Sequence, residues 1–254
     1  MSDLYMVEWD PRAYLKQYYS IPYIPDDSRA LLTFLLEQLN RRPEGYERAI
    51  EFGCGPTLYT GLALSPHVRQ LHLADYLPSN LEELQLWLTD APGAHDWSVY
   101  VRAILEQELG RLPTREEMAA RETELRKKVT GLHLADIRQS NPLGSPQEFD
   151  LVTSFFCIEA VSPDLSDWET FLCNLSSLVA TNGTMVLAAV RLCSEYEVLG
   201  RMFPTARVDE SDFERILPAC GFDPNSLVVR AVPITEWTDE GFDSICLVSA
   251  RKLR

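Results

Sequence analysis

Three places in this chain combine a residue type and a spacing that could hold a nucleoside. The first is Glu51-Phe-Gly53-Cys54-Gly55-Pro56-Thr57. Glycine at 53 and 55 lets the backbone turn tightly and approach a ligand closely. Position 58 is Leu, so the turn is not the G-x-G-x-x-G of dinucleotide folds, and no Lys is present to make a phosphate loop. The second is Asp75, about 20 residues beyond Gly53, where an acid at the end of a second strand accepts ribose hydroxyls. The third is Asp136, which can accept from an adenine amino group while Ile137 offers its backbone N–H. Each alone has a plain alternative: a tight turn, a helix cap, a solvated loop carboxylate. Together they specify adenosine held without a pyrophosphate loop, which favours S-adenosylmethionine over a dinucleotide.

Such residues need strands that end beside one another. Strand signals lie at 48–52, 70–74, 132–135, 149–156 and 184–190, with two late strands at 227–234 and 244–250. Helical periodicity lies at 31–39, after a turn and cap at 25–28, and from 57, from 78, at 165–179 and at 211–217. Alternating strands and helices predict an α/β fold, a mostly parallel sheet with helices on both faces. The two late strands predict an antiparallel edge hairpin. Residues 97–130 read as an insertion of one or two helices whose charge run is a solvated face. Ligands of open sheets bind beyond the C-terminal strand ends, which directs attention to 53–59, Asp75, Asp136, 155–159 and 190–196.

The composition excludes several functions. The chain has 254 residues, 46% hydrophobic, and Lys+Arg 23 against Asp+Glu 38 gives a net charge of −15. The length suits one domain, 1–254, with an N-terminal lid and helix over 1–45. The negative charge repels nucleic acid and anionic membrane surfaces. No apolar run reaches the roughly 18 residues of a membrane span, and no signal peptide is visible. The six cysteines are far apart and read as buried thiols of a cytoplasmic protein. The four histidines fall in no ligand spacing, so no metal is expected.

Longer motifs carry a resemblance. Asp10-Pro-Arg-Ala-Tyr-Leu-Lys-Gln-Tyr-Tyr19, Gly53-Cys-Gly-Pro-Thr-Leu-Tyr59, Asp75-Tyr76 with Asn80-Leu-Glu-Glu-Leu, and Trp87-Leu run in order along the chain. They continue through Asp96-Trp97, Gln139-Ser-Asn-Pro-Leu-Gly144, Pro163-Asp-Leu165 and Val248-Ser-Ala-Arg-Lys-Leu253. The sequence resembles the nicotinamide/phenylethanolamine/thioether N-methyltransferase family of class I S-adenosylmethionine-dependent enzymes. The resemblance implies a Rossmann-like class I methyltransferase sheet with an N-terminal helical lid. It implies that Gly53, Cys54, Gly55, Thr57 and Tyr59 hold the methionine part of the cofactor. Asp75, Tyr76 and Asn80 would take the ribose, and Asp136 and Ile137 would frame the adenine, with Phe155 and Phe156 as walls. Tyr14, Tyr18 and Tyr19 would form the lid over cofactor and acceptor, and Tyr196 would stack on the acceptor.

Departures narrow the acceptor. Relatives that bind nicotinamide carry an Asp after the fifth strand, where this chain reads Ala188-Ala-Val-Arg191. Arg191 is either an anchor for an acceptor carboxylate or half of a surface salt bridge. Glu159 matches an acidic position of relatives and is the side chain suited to hold or deprotonate a basic acceptor, or else a helix-start carboxylate. The reading is a monomeric, cytoplasmic N-methyltransferase of a small amine, pyridine or guanidine-type nitrogen, with catalytic candidates Glu159, Tyr14 and Tyr196. A non-catalytic adenosyl-binding protein and an S- or O-methyltransferase of the same fold are the alternatives. A dinucleotide oxidoreductase lacks its third glycine.

Overall fold

A computed structural model describes residues 9–198, 200–236 and 241–253. Seven strands form one sheet: β1 (Tyr46–Phe52), β2 (Val68–Asp75), β3 (Val129–Leu134), β4 (Phe149–Phe155), β5 (Val179–Val190), β8 (Val228–Pro233) and β9 (Ser244–Arg251). Their order is β3-β2-β1-β4-β5-β9-β8. The first five run parallel, and β9 is antiparallel to both β5 and β8. The late strands are thus the expected antiparallel pair, but the last one is inserted between its neighbours and β8 is the edge. A second, two-stranded sheet of β6 (Glu195–Val198) and β7 (Arg201–Pro204) was not expected from the sequence.

Each strand sends alternate side chains to opposite faces. Ala49, Leu151, Val186 and Leu247 therefore join one core, and their neighbours Ile50, Val152, Leu187 and Val248 the other. The first core is covered by α2 (Asp26–Leu39), α3 (Tyr59–Leu64), α4 (Pro78–Leu88), α5 (Ser98–Leu109) and α6 (Arg115–Lys128). The second is covered by α7 (Leu165–Ser176) and α8 (Glu210–Ala219), through Trp168, Leu172, Phe213 and Leu217. Burial on both faces is why the strands read as continuous apolar runs.

The N-terminal aromatic stretch contains a helix, α1 (Pro11–Tyr18). Pro11 at its first position has no N–H to satisfy, and the Asp10 side chain accepts from the Arg12 and Ala13 amides. The insertion is two helices, α5 and α6, and its charge run is not wholly solvated. Arg121 is buried, donating to the Leu62 carbonyl of α3 at 3.1 Å and to Glu108 of α5. It ties the insertion to the helix that carries Tyr59.

The cysteine expectation needs correction. Cys173 and Cys220 are joined as a disulfide, with Cα atoms 5.7 Å apart across a separation of 47 residues. Helices α7 and α8 pack side by side on one face of the sheet, which brings the two sulfurs together. Cys54, Cys193 and Cys246 are free and buried, and Cys157 is free and half-buried.

Candidate active site

A cavity of about 480 Å³ opens beyond the C-terminal ends of β1, β2 and β4, within the roughly 300–1,000 Å³ range of small-molecule sites. The glycine turn forms its floor. Gly53 and Gly55 have φ of +69° and +58°, the left-handed region that glycine enters without a steric penalty. The amides of Gly53 and Cys54 both donate to the Ala74 carbonyl, at 2.8 and 3.1 Å, which locks the turn to the end of β2. A Cβ on Gly53 would lie 1.9 Å from Cys157 Sγ, so only glycine fits. A Cβ on Gly55 would meet nothing within 4 Å, which leaves room for a ligand at that cradle. Thr57 Oγ1 closes the turn by donating to the Cys54 carbonyl at 2.8 Å.

Asp75 and Asn80 are buried at the next strand end. Asp75 Oδ2 accepts the Gly55 N–H at 2.8 Å, and Oδ1 accepts from Leu77 N and Asn80 Nδ2, each at 2.9 Å. Burial nonetheless holds its carboxyl above the usual range. Asp136 is held differently from the open acceptor that the sequence suggests. Arg138 binds both of its oxygens, at 2.7 and 2.9 Å, and keeps its pKa low. The same guanidinium lies 4.8 Å from the Tyr76 ring. Asp136 Oδ1 also accepts the Arg138 backbone N–H at 3.1 Å, and Oδ2 accepts from Gln139 Nε2 at 3.4 Å. Each oxygen thus already has two donors, and an amino group would enter by displacing the long Gln139 contact. Ile137 is buried beside it, and its carbonyl accepts from Asn174.

Aromatic rings wall the remainder. Tyr14 lies 5.7 Å from Tyr19, Tyr19 5.6 Å from Tyr59, and Tyr59 5.1 Å from Tyr100. Burial drives the Tyr19 and Tyr59 hydroxyls well above their ordinary pKa, so both stay neutral. Tyr18 donates to the Glu197 carbonyl at 2.7 Å, pinning α1 to the β6–β7 hairpin, and Tyr196 stacks on Phe203. Phe155, the last residue of β4, and Phe156 just beyond it line the cavity. Phe156 has a φ of 52°, a conformation that costs a side-chain-bearing residue on the order of 1–3 kcal/mol and occurs preferentially at functional sites.

Two further buried carboxyl groups face this interior. Glu159, on a short 3-10 turn after β4, accepts the Val190 N–H on Oε1 at 3.1 Å. Its Oε2 has no partner among the described residues, and burial raises its pKa to about 7. Glu51, at the end of β1, accepts from Thr60 Oγ1 on Oε1 and likewise leaves Oε2 without a partner among the described residues. Burial raises it to about 8. Glu51 belongs to the quoted turn motif, yet nothing in that motif says that its side chain points inward.

Every residue singled out from the sequence lines this one cavity except Arg191. Its Nε sits 2.7 Å from Glu210 Oε2, and of the two partners open to it the salt bridge is the one formed. Trp9, Asp27, Arg138 and Thr205 also line the cavity and were not anticipated. Trp9 is the first of these in the chain, beside the Asp10-Pro11 helix start.

The family model of the NNMT/PNMT/TEMT family matches residues 1–253. This chain belongs to that family. It is 30% identical to indolethylamine N-methyltransferase of Mus musculus, covering 98% of this chain and 94% of that one. It is 32% identical to phenylethanolamine N-methyltransferase of Sus scrofa, covering 89% and 81%. Among solved folds it resembles magnesium protoporphyrin IX methyltransferase of Synechocystis PCC 6803 with bound SAM. That match has a TM-score of 0.57 at 12% identity, over 99% of this chain and 94% of the other. The family member described here is an enzyme, a class I methyltransferase whose cofactor is S-adenosyl-L-methionine.

Proposed function

We propose that this enzyme transfers the methyl group of S-adenosylmethionine to the nitrogen of a small amine that enters as a cation and is held at Glu159. The observation that carries this reading is the unpartnered Glu159 Oε2, a buried carboxylate oxygen facing a cavity walled by aromatic rings. An isolated buried carboxylate is costly unless a cation or donor meets it, and an ammonium group supplies both. Arg191 is spent on Glu210, which speaks against an acceptor anchored by its carboxylate.

The cofactor fits the residues present. Gly53, Cys54, Gly55, Thr57 and Tyr59 cradle the methionine part, with Glu51 Oε2 suited to an ammonium. Asp75, Tyr76 and Asn80 take the ribose. Asp136 and Ile137 would frame the adenine, with Phe155 and Phe156 as walls. When bound, S-adenosylmethionine supplies a sulfonium methyl for in-line displacement. The chain itself orients, excludes water and moves one proton. Glu159 takes that proton from the acceptor ammonium, because only a neutral lone pair can attack. Tyr14, Tyr18 and Tyr19 close over the pair as a lid, and Tyr196 stacks on the acceptor. Neutral rings suit the transition state, whose positive charge is spread and attracted to aromatic faces. Orientation alone accounts for much of the acceleration of such a displacement.

Action as a cytoplasmic monomer belongs to the same proposal, as does action without nucleic-acid or membrane partners, which the charge of −15 supports. The deciding experiment is release of S-adenosylhomocysteine across a panel of amines, pyridines and guanidines, with product masses recorded. Methylated product from protonatable amines supports the reading. Product only from pyridines, or from oxygen or sulfur acceptors, overturns the role given to Glu159.

A further inference from the structure

Trp9 stands just before the lid helix and lines the cavity. Its indole N–H donates to Asn80 Oδ1 at 2.7 Å. Asn80 Nδ2 donates in turn to Asp75 Oδ1 at 2.9 Å, and Asp75 Oδ2 accepts the Gly55 N–H at 2.8 Å. The ends of this chain of hydrogen bonds fix its direction. An indole N–H can only donate and a carboxylate can only accept, so the Asn80 amide has a single satisfactory orientation. The Trp9 ring also lies 4.7 Å from Tyr14, the start of the aromatic wall. One side chain therefore reaches the acid of β2 by way of Asn80 through its N–H, and touches the lid through its ring. Arg12 and Glu83 add a second tie between α1 and α4 at 2.5 Å, but the Arg12 side chain is 64% exposed and the pair is worth little.

We infer that Trp9 is a positioning residue for the cofactor, a latch that makes the ribose-binding pose of Asp75 and closure of the lid depend on each other. The inference rests on the proposed placement of ribose at Asp75. With the indole in place, Asn80 must present its NH₂ to Asp75 Oδ1, which holds the carboxylate with the remaining lone pair of Oδ2 available to a ribose hydroxyl. Without the indole N–H, the Asn80 oxygen loses its donor and the side chain is anchored only at its NH₂ end, so its hold on the carboxylate slackens. Lifting the lid removes the N–H in the same way, so lid opening loosens the ribose.

The test is Trp9→Phe, which keeps a ring against Tyr14 and removes the N–H. Calorimetric Kd for S-adenosylhomocysteine and KM for S-adenosylmethionine are expected to rise about 5- to 10-fold, the scale of one hydrogen bond. The kcat at saturation stays within about twofold, a split that a general loss of packing would not produce. In an Asn80→Ala background, or Asn80→Ser should the alanine variant fold poorly, Trp9→Phe has no further effect on Kd. Unchanged Kd in Trp9→Phe, or full additivity with the Asn80 variant, overturns the latch. Asp75→Asn separates the two levels of the argument. Binding as tight as in the unsubstituted enzyme removes the ribose placement and the latch with it, whereas weakened binding in Asp75→Asn but not in Trp9→Phe removes the latch alone.

Discussion

Glu51 and Glu159 differ in chemistry although both are buried carboxyl groups with one unpartnered oxygen among the described residues. Glu159 titrates at about 7, inside the working range, and must be ionised to accept a proton. The kcat/KM for an amine acceptor should therefore rise with pH through about 7. Glu159→Gln should lose that limb and about 100-fold or more in rate, recovering toward high pH as the amine deprotonates in solution. Glu51 has a stability signature instead. Its folded carboxyl titrates near 8 against an ordinary 4.5, so between those values the folded chain retains a proton that the unfolded chain releases. Stability falls as pH rises through that window. Melting of the cofactor-free protein should show Glu51→Gln more stabilising at pH 8 than at pH 5. Motifs placed 17 of the 18 candidate residues on one cavity, since type and strand-end spacing suffice for Gly53, Asp75 or Asp136. They missed Arg138 and Trp9 because the value of each lies in a partner, Asp136 with Tyr76, or Asn80, that only tertiary packing reveals.

At the scale of elements, the turn after β1 and the insertion are the parts whose packing leaves least room for substitution. Gly53→Ala would drive a Cβ into Cys157 Sγ and force a positive φ on a side-chain-bearing residue. A loss of about 2 kcal/mol or more is expected in urea unfolding, together with loss of S-adenosylhomocysteine binding. Arg121 holds α6 to α5 and α3 with its side chain 8% exposed, while Glu108 is 22% exposed. Arg121→Ala should cost about 2–3 kcal/mol, below the 3–5 of a fully buried pair because Glu108 keeps contact with water. Strands buried on both faces and long amphipathic helices were legible because their periodicity is strong. The start of α1 was also encoded, by Asp10 before Pro11. The β6–β7 hairpin was not legible. Its four-residue strands are too short for period-two alternation to emerge, and they gain stability from Phe203 and Val198, which are buried only in the folded chain.

At the scale of the whole molecule, the disulfide closes 47 residues of chain between α7 and α8. Loop entropy makes such a link worth about 4 kcal/mol. A reducing agent should lower the melting temperature, while Cys220→Ser should melt alike with and without it. Sequence separation hid this pair, just as it hid the strand order. Nothing in 244–250 as a string says that it lies between β5 and β8 rather than at the rim. That insertion bears on how the protein is made. On a ribosome, β8 emerges before the strand that joins it to the sheet, and β5 waits as a bare edge, apolar on both faces through Val186 and Leu187. A nascent chain stalled before Ser244 exposes that edge to its neighbours on the polysome, the arrangement that seeds strand-to-strand aggregation. Synthesis of this enzyme thus carries a window of vulnerability that closes only when β9 slides into its slot.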